Sequence, residues 1–254
     1  MIMVVKKNNI LFIAVIFILS LALIGINNIF LAQNTDDVIG NELPNNVPDA
    51  VVSNIGKGKT VLLDPGHGGE DPGAVSNFNP DVYEKNINLY IAGEVKKLLE
   101  SDGYTVLMTR TEDVLVYDSS ATGETQMRKQ DLQRRKKMMD ESGADIVVSI
   151  HLNKFPDEKI HGAQTFFVKE SKSGEKLAKC IQDSIVKNVD PENKRVALQK
   201  KEEIIITKNC RTTTTIVECG FLSNKLEEQK LSTKEYQEKL AAAIKLGIDS
   251  YFTV

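Results

Sequence analysis

The sequence predicts an α/β domain with three layers: a mostly parallel, twisted sheet with helices on both faces, preceded by an N-terminal apolar helix. Two observations point there. From Thr60 onward, short apolar, β-branched runs alternate with segments of helical period, the pattern of a parallel sheet with crossover helices. Three of the strand-like runs lead into an ionisable residue, namely His67, His151 and Glu218. That suits an open sheet whose strand carboxyl ends line a site.

Residues 1–32 read as a signal-anchor or signal segment. Lys6 and Lys7 precede an apolar stretch, Ile10 to Ile26, that only Ser20 and Gly25 interrupt. Its length is close to the ~17-residue minimum for a span. The basic flank belongs in the cytoplasm and the rest of the chain outside. A cut after Ala32 would place Phe30 where a small residue is wanted, so an uncleaved anchor is favoured. No lipobox-type cysteine is present. Residues 33–59 are dominated by Asn, Asp, Pro and Gly and hold no period, which reads as a flexible linker. Residues 60–254 form one folded domain, large enough to bury a core.

Within it, Val61–Leu63 is a short strand. Glu84–Glu100 is a helix, with Ile87, Ile91, Val95, Leu98 and Leu99 at helical spacing and Gly103 beyond its end. Tyr104–Met108 is a strand, Met127–Glu141 a helix stopped near Gly143, and Asp145–Ile150 a buried strand. Ala163–Val168 is a strand. Gly174–Asn188 is a helix with Leu177, Ile181 and Ile185 on one face. Thr214–Val217 is a strand, and Lys234–Tyr251 is the closing helix, with Tyr236, Leu240, Ile244 and Ile248 aligned.

Composition excludes several functions. The net charge is −3, and Lys and Arg cluster only around Arg128–Lys137, which reads as the solvated face of a helix. No basic stripe predicts nucleic-acid binding. Three cysteines, Cys180, Cys210 and Cys219, include no C-x-x-C pair. They fit neither a thiolate zinc site nor a disulfide framework. Cys219 adjoins Glu218, but a strand period of two points it to the opposite face, where it acts as a small buried hydrophobe. The turn Pro65-Gly66-His67-Gly68-Gly69 matches neither the phosphate-loop nor the dinucleotide-binding pattern.

What remains is a constellation. His67, Glu84, His151 and Glu218 are scattered in sequence. Three such groups can hold a zinc ion with a coordination position left for water, and a fourth can take a proton from that water. That is the equipment for hydrolysing an amide. Each residue alone is weak evidence, and Glu84 could simply favour a helix N-terminus. The topology brings the strand ends together, and that convergence carries the reading.

Four blocks occur in order: Leu62-Leu63-Asp64-Pro65-Gly66-His67-Gly68-Gly69 with Asp71-Pro72-Gly73-Ala74, then Glu84-Lys85-Asn86, then Ser149-Ile150-His151-Leu152-Asn153, then Val217-Glu218-Cys219-Gly220-Phe221. They resemble the zinc-dependent N-acetylmuramoyl-L-alanine amidases of type 3, from about Thr60 to the C-terminus. Thr109-Arg110, Asp113 and Leu132-x-x-Arg135 fit the same pattern. The short architecture with an apolar N-terminal segment resembles the germination-specific, CwlD-like group that acts on spore cortex.

The resemblance implies the phosphorylase/hydrolase-like amidase fold and one zinc ion (Zn2+) per chain. His67, Glu84 and His151 would be its ligands and Glu218 the catalytic carboxylate. The substrate would be peptidoglycan, at the bond from the lactyl group of N-acetylmuramic acid to L-alanine, in the formation of muramic lactam. The enzyme would be exported and membrane-anchored, between forespore and mother cell if the cortex role holds. With no wall-binding repeats in the chain, the N-terminal tether or a partner protein would localise it and supply activation. The alternatives are a zinc peptidase that cuts the stem peptide and a non-catalytic, zinc-dependent wall-binding protein.

Further residues invite two readings. Asp64 is a candidate to hold a ligand histidine from behind, or else an ordinary turn-stabilising Asp. Arg195 and Arg211 are candidates for anionic peptide carboxylates, or else solvated loop charges. His161 is expected on the surface or the groove rim.

Overall fold

The computed structural model describes residues 54–201 and 204–253 of the chain. The anchor expected over 1–32 and residues 33–53 of the expected linker lie outside the described residues. Among the described residues, no helix is long and apolar enough to cross a membrane. The first described residues form a 3-10 turn, Asn54–Gly56. Ile55 packs against the core, and Gly56 N donates to Asp102 O at 3.2 Å. The last residues that composition assigned to the linker are thus tied to the domain.

Six strands and five helices follow among the described residues. The strands are β1 (Thr60–Pro65), β2 (Thr105–Met108), β3 (Ile146–Asn153), β4 (Gln164–Phe167), β5 (Leu198–Gln199) and β6 (Thr213–Phe221). The helices are α1 (Glu84–Ser101), α2 (Glu124–Glu141), α3 (Lys172–Asn188), α4 (Lys225–Leu231) and α5 (Lys234–Thr253). The sheet runs β2-β1-β3-β6-β4-β5. Its β2, β1, β3 and β6 are parallel, β4 is antiparallel to β6, and β5 is parallel to β4. β5 and α4 are two elements that the sequence pattern does not announce. Two exposed residues carry no usable period, and α4 is seven residues long.

The alternation of side chains along β1 and β3 divides the core into two layers. Val61, Leu63, Ile146, Val148 and Ile150 face α1, α3 and α5, meeting Ile91, Leu177, Ile181, Leu240 and Ile244. Leu62 and Val147 face the other way, onto Met139 of α2 and Ile206. Each such fully buried Leu, Ile or Val contributes ~1.5–3 kcal/mol. The buried stripe of α2 is Asp131, Arg135 and Met139. The Arg128–Lys137 run, expected as a solvated face, therefore turns Arg135 inward, with its side chain 1% exposed.

This topology positions the site. Register pairs Pro65 with Ile150 and His151 with Glu218, so the carboxyl ends of β1, β3 and β6 lie side by side.

Candidate metal centre

His67 leaves β1 in a left-handed conformation, φ 63°, which is uncommon for a residue with a side chain. Neighbours hold it there. Arg135 donates to Pro65 O at 2.6 Å and to His67 O at 2.7 Å. Arg110 donates to Pro65 O and Gly66 O, both at 2.9 Å. Burial and then the neighbouring Arg135 charge lower Arg110 to about 10, so it stays a cation at neutral pH. Two guanidiniums thus clamp three successive carbonyls of the turn that presents His67.

Glu84 is the first residue of α1, and its carboxylate turns into the site. Oε2 accepts from Ala74 N at 2.7 Å, and Oε1 accepts from Leu152 N at 2.9 Å and Asn88 Nδ2 at 3.2 Å. His67 Nε2 lies 3.3 Å from Glu84 Oε1, and His151 Nδ1 lies 3.0 Å from the same oxygen. The two imidazoles meet edge to face, centroids 5.1 Å apart. One donor atom from each of His67, Glu84 and His151 falls within 4.8 Å of the others, a spacing that can hold a metal ion.

The glycines of both turns are dictated by this crowding. A Cβ on Gly66 would sit 2.2 Å from Cε1 of His151. At Gly73, φ +67°, a Cβ would lie 2.5 Å from Glu84 Oε2 and 2.7 Å from His67 Cδ2. Only a residue without a side chain lets the backbone pass so near the cluster.

Charge within the cluster is strongly coupled. Burial alone would raise Glu84, but the His151 and His67 rings outweigh it and hold the carboxyl far below its usual range. Burial opposes protonation of His67, yet the Asp71 and Glu84 carboxylates push it up to about 10. Glu218 behaves oppositely. Its Oε2 is enclosed and has no hydrogen-bond partner among the described residues, and burial pushes its carboxyl up. It is the cross-strand neighbour of His151, so an unengaged acid stands beside the cluster. A cavity of about 220 Å³ opens from the two histidines, walled by Leu115, Leu132, Ile204, Ile205 and Ile206 with Arg128 among its polar lining.

Three candidates from the sequence lie elsewhere or act differently. Asp64 hydrogen-bonds neither histidine. It accepts from Thr109 Oγ1 and Ser149 Oγ at 2.7 Å and from Arg135 Nη1 at 3.1 Å, as half of a buried ion pair inside β1. The carboxylate on His67 Nδ1 is instead Asp71, at 2.8 Å. Its only sequence signal was its place four residues after His67 within the motif. Arg195 is occupied by the fold: it donates to His161 O at 2.6 Å and Gln164 Oε1 at 2.7 Å, and lies over the Phe221 ring. Arg211 precedes β6 at its amino end. At ~3.3 Å per residue this puts it roughly 20 Å from Glu218, at the amino rather than the carboxyl ends of the strands. His161 is exposed, with Nδ1 on Lys159 O at 2.8 Å. Cys219 is fully buried in the core, as its strand position implied.

Comparison with known proteins gives the chain a family. The family described as N-acetylmuramoyl-L-alanine amidase matches residues 61–250. The germination-specific N-acetylmuramoyl-L-alanine amidase of Bacillus subtilis (strain 168) is 37% identical over 196 residues, covering 77% of this chain and 81% of that one. The CwlD amidase from Clostridioides difficile, solved in complex with the GerS lipoprotein, aligns with a TM-score of 0.73 and 40% identity, over 76% of this chain and 98% of that one. An N-acetylmuramoyl-L-alanine amidase from Clostridium difficile 630 aligns at 0.65 and 32% identity, over 76% and 96% of the two chains. The matched span includes His67, Glu84, His151 and Glu218, and the chain belongs to the N-acetylmuramoyl-L-alanine amidase family of enzymes.

Proposed function

We propose that the chain is a zinc-dependent hydrolase that cuts the amide between the lactyl group of N-acetylmuramic acid and L-alanine, acting in maturation of spore cortex. His67, Glu84 and His151 would hold the ion. Two imidazole nitrogens and one carboxylate oxygen suit zinc, and three protein donors rather than four mark a catalytic rather than a structural site. A zinc ion there supplies Lewis acidity, which polarises an amide carbonyl and acidifies water.

The protein supplies the rest. Glu218 takes the proton of the attacking water as the new C–O bond forms, then delivers a proton to the alanine nitrogen as the C–N bond breaks. The products are a free lactyl carboxyl and a free L-alanine amine. The observation that carries this reading is the enclosed, unpartnered Oε2 of Glu218 beside an open donor cluster. Burial raises this carboxyl above its ordinary value, which favours a group that must both take and return a proton.

Mass spectrometry of muropeptides, with and without a chelator, tests the reaction. Free lactyl groups and free L-alanine termini that vanish with chelator are expected. Shortened stems on intact muramic acid would identify a stem-peptide peptidase instead, and no product at all would point to a wall-binding protein.

Germination-specific and CwlD relatives support the cortex role. The apolar run after Lys6 and Lys7 supports an anchor facing outward from the cytoplasm. The GerS lipoprotein bound to the C. difficile relative supports a protein partner. Full activity of the purified chain on isolated cortex, with no stimulation by cell extract, would refute the need for that partner.

A further inference from the structure

The two histidines of the cluster are held in different ways. His151 turns Nδ1 to Glu84, and the backbone of Gly66 packs against its ring. His67 turns Nε2 to Glu84 and has a second carboxylate behind it: Nδ1 lies 2.8 Å from Asp71 Oδ2. Asp71 is placed by the turn itself. Gly68 N donates to Asp71 O and Asp71 N donates to Gly68 O, each at 2.9 Å, closing the loop so that residue 71 folds back on residue 67. The other carboxylate oxygen, Oδ1, accepts from Gly73 N at 3.4 Å and lies 3.3 Å from Nε of Arg128 on α2, an ion-pair contact without hydrogen-bond geometry.

An imidazole that binds metal through one nitrogen needs its other N–H held, which sets the tautomer, the ring plane and the donor strength. His67 needs this more than His151 because its backbone is in the left-handed region, where the ring is not set by regular strand geometry. We propose that Asp71 is a positioning residue of the metal centre, fixing His67 from behind, with Arg128 holding Asp71 in turn. The chain of contacts ties the cluster to α2, a helix that provides no donor of its own. This inference rests on His67, Glu84 and His151 being the metal ligands.

Zinc titration of the full-length chain against a chromophoric chelator tests it, alongside thermal unfolding of the metal-free protein. For Asp71→Ala, zinc affinity is expected to fall ~10–100-fold, the usual cost of losing such a partner. The metal-free melting temperature should fall somewhat, since the His67–Asp71 contact goes there too, but by less than the fall in zinc affinity corresponds to. Asp71→Asn keeps an oxygen that accepts from Nδ1 and should recover part of the loss. Arg128→Gln should give a smaller fall, and none when Asp71 is already Ala. If Asp71→Ala does not fold without metal, Asp71→Asn and Arg128→Gln decide. Wild-type affinity in the folded Asp71 variants would overturn the proposal. So would affinity losses that merely follow metal-free destabilisation, since the role would then be structural. Failure of the wild-type chain to bind zinc would instead overturn the metal reading on which the inference rests.

Discussion

Gly66 and His151 exclude any side chain between them: a Cβ at 66 would stand 2.2 Å from the His151 ring. The glycine before the first histidine is therefore required by the second one, 85 residues later in the chain. Gly66→Ala should push the His151 ring out of the cluster. A misplacement of about 1 Å at a reacting centre costs on the order of 10²-fold, so turnover should fall at least that far, with zinc content reduced. Wild-type zinc stoichiometry and turnover in this variant would contradict the packing argument.

Glu218→Gln keeps size and removes the base. Zinc content should remain at wild-type level, while hydrolysis of muropeptides falls ~10²–10⁴-fold, the usual worth of a positioned acid–base group. A variant that still cleaves near the wild-type rate would remove Glu218 from the mechanism.

Arg135 is buried with Asp64 and Asp131 and clamps the His67 turn. Arg135→Met leaves two acids without their shared cation, and breaking such a buried pair costs ~3–5 kcal/mol. Urea unfolding should show this loss. Lys137→Ala, on the same helix with a 72% exposed side chain, should stay within about 0.5 kcal/mol of wild type.

The Asp64 ion pair also has a pH signature. Burial alone would raise Asp64, but the Arg135 guanidinium and the Thr109 and Ser149 hydroxyls outweigh it and hold the carboxyl below its ordinary 3.8. A carboxyl lower in the folded than in the unfolded state stabilises the fold fully above the unfolded value. That stabilisation is lost as pH falls below 3.8 through the folded value. The stability gap between wild type and Asp64→Asn should be constant well above 3.8 and shrink below it. A gap that widens on acidification would reverse the sign assigned here.

Cys219 is wholly buried, and burial pushes its thiol up, so it is no nucleophile. Cys219→Ala should keep turnover and lose about 1 kcal/mol of stability through lost packing. Loss of turnover in a folded, zinc-loaded Cys219→Ala protein would reopen thiol chemistry.

Much of this was legible in the sequence because its signals are local. The period of α1 announced itself through Ile87, Ile91 and Val95, and the buried run Ile146–Ile150 through an apolar character that only Ser149 interrupts. His67, His151 and Glu218 were legible because they follow or close strands, where an ionisable group has little reason to sit without a partner, whereas Glu84 opens α1 and stood out only beside the other three. Helix α2 shows where such reasoning stops. Its buried stripe contains Asp131 and Arg135, and a charge counts as solvent-facing until its partner is known. Arg135 finds that partner in Asp64, 71 residues away.

By itself the sequence determined the alternating α/β pattern, the outward face of Glu218 against the inward face of Cys219, and the four residues to be gathered. These follow from periods of 2 and 3.6 residues, which any stretch of chain carries within itself. Only the tertiary structure decided that Asp71 rather than Asp64 backs His67, that Arg195 is committed to its own loops, and that Arg211 lies at the amino ends of the strands, away from the site. Those outcomes depend on which strands become neighbours and where a turn folds back, and pairing between distant segments leaves no mark in local spacing.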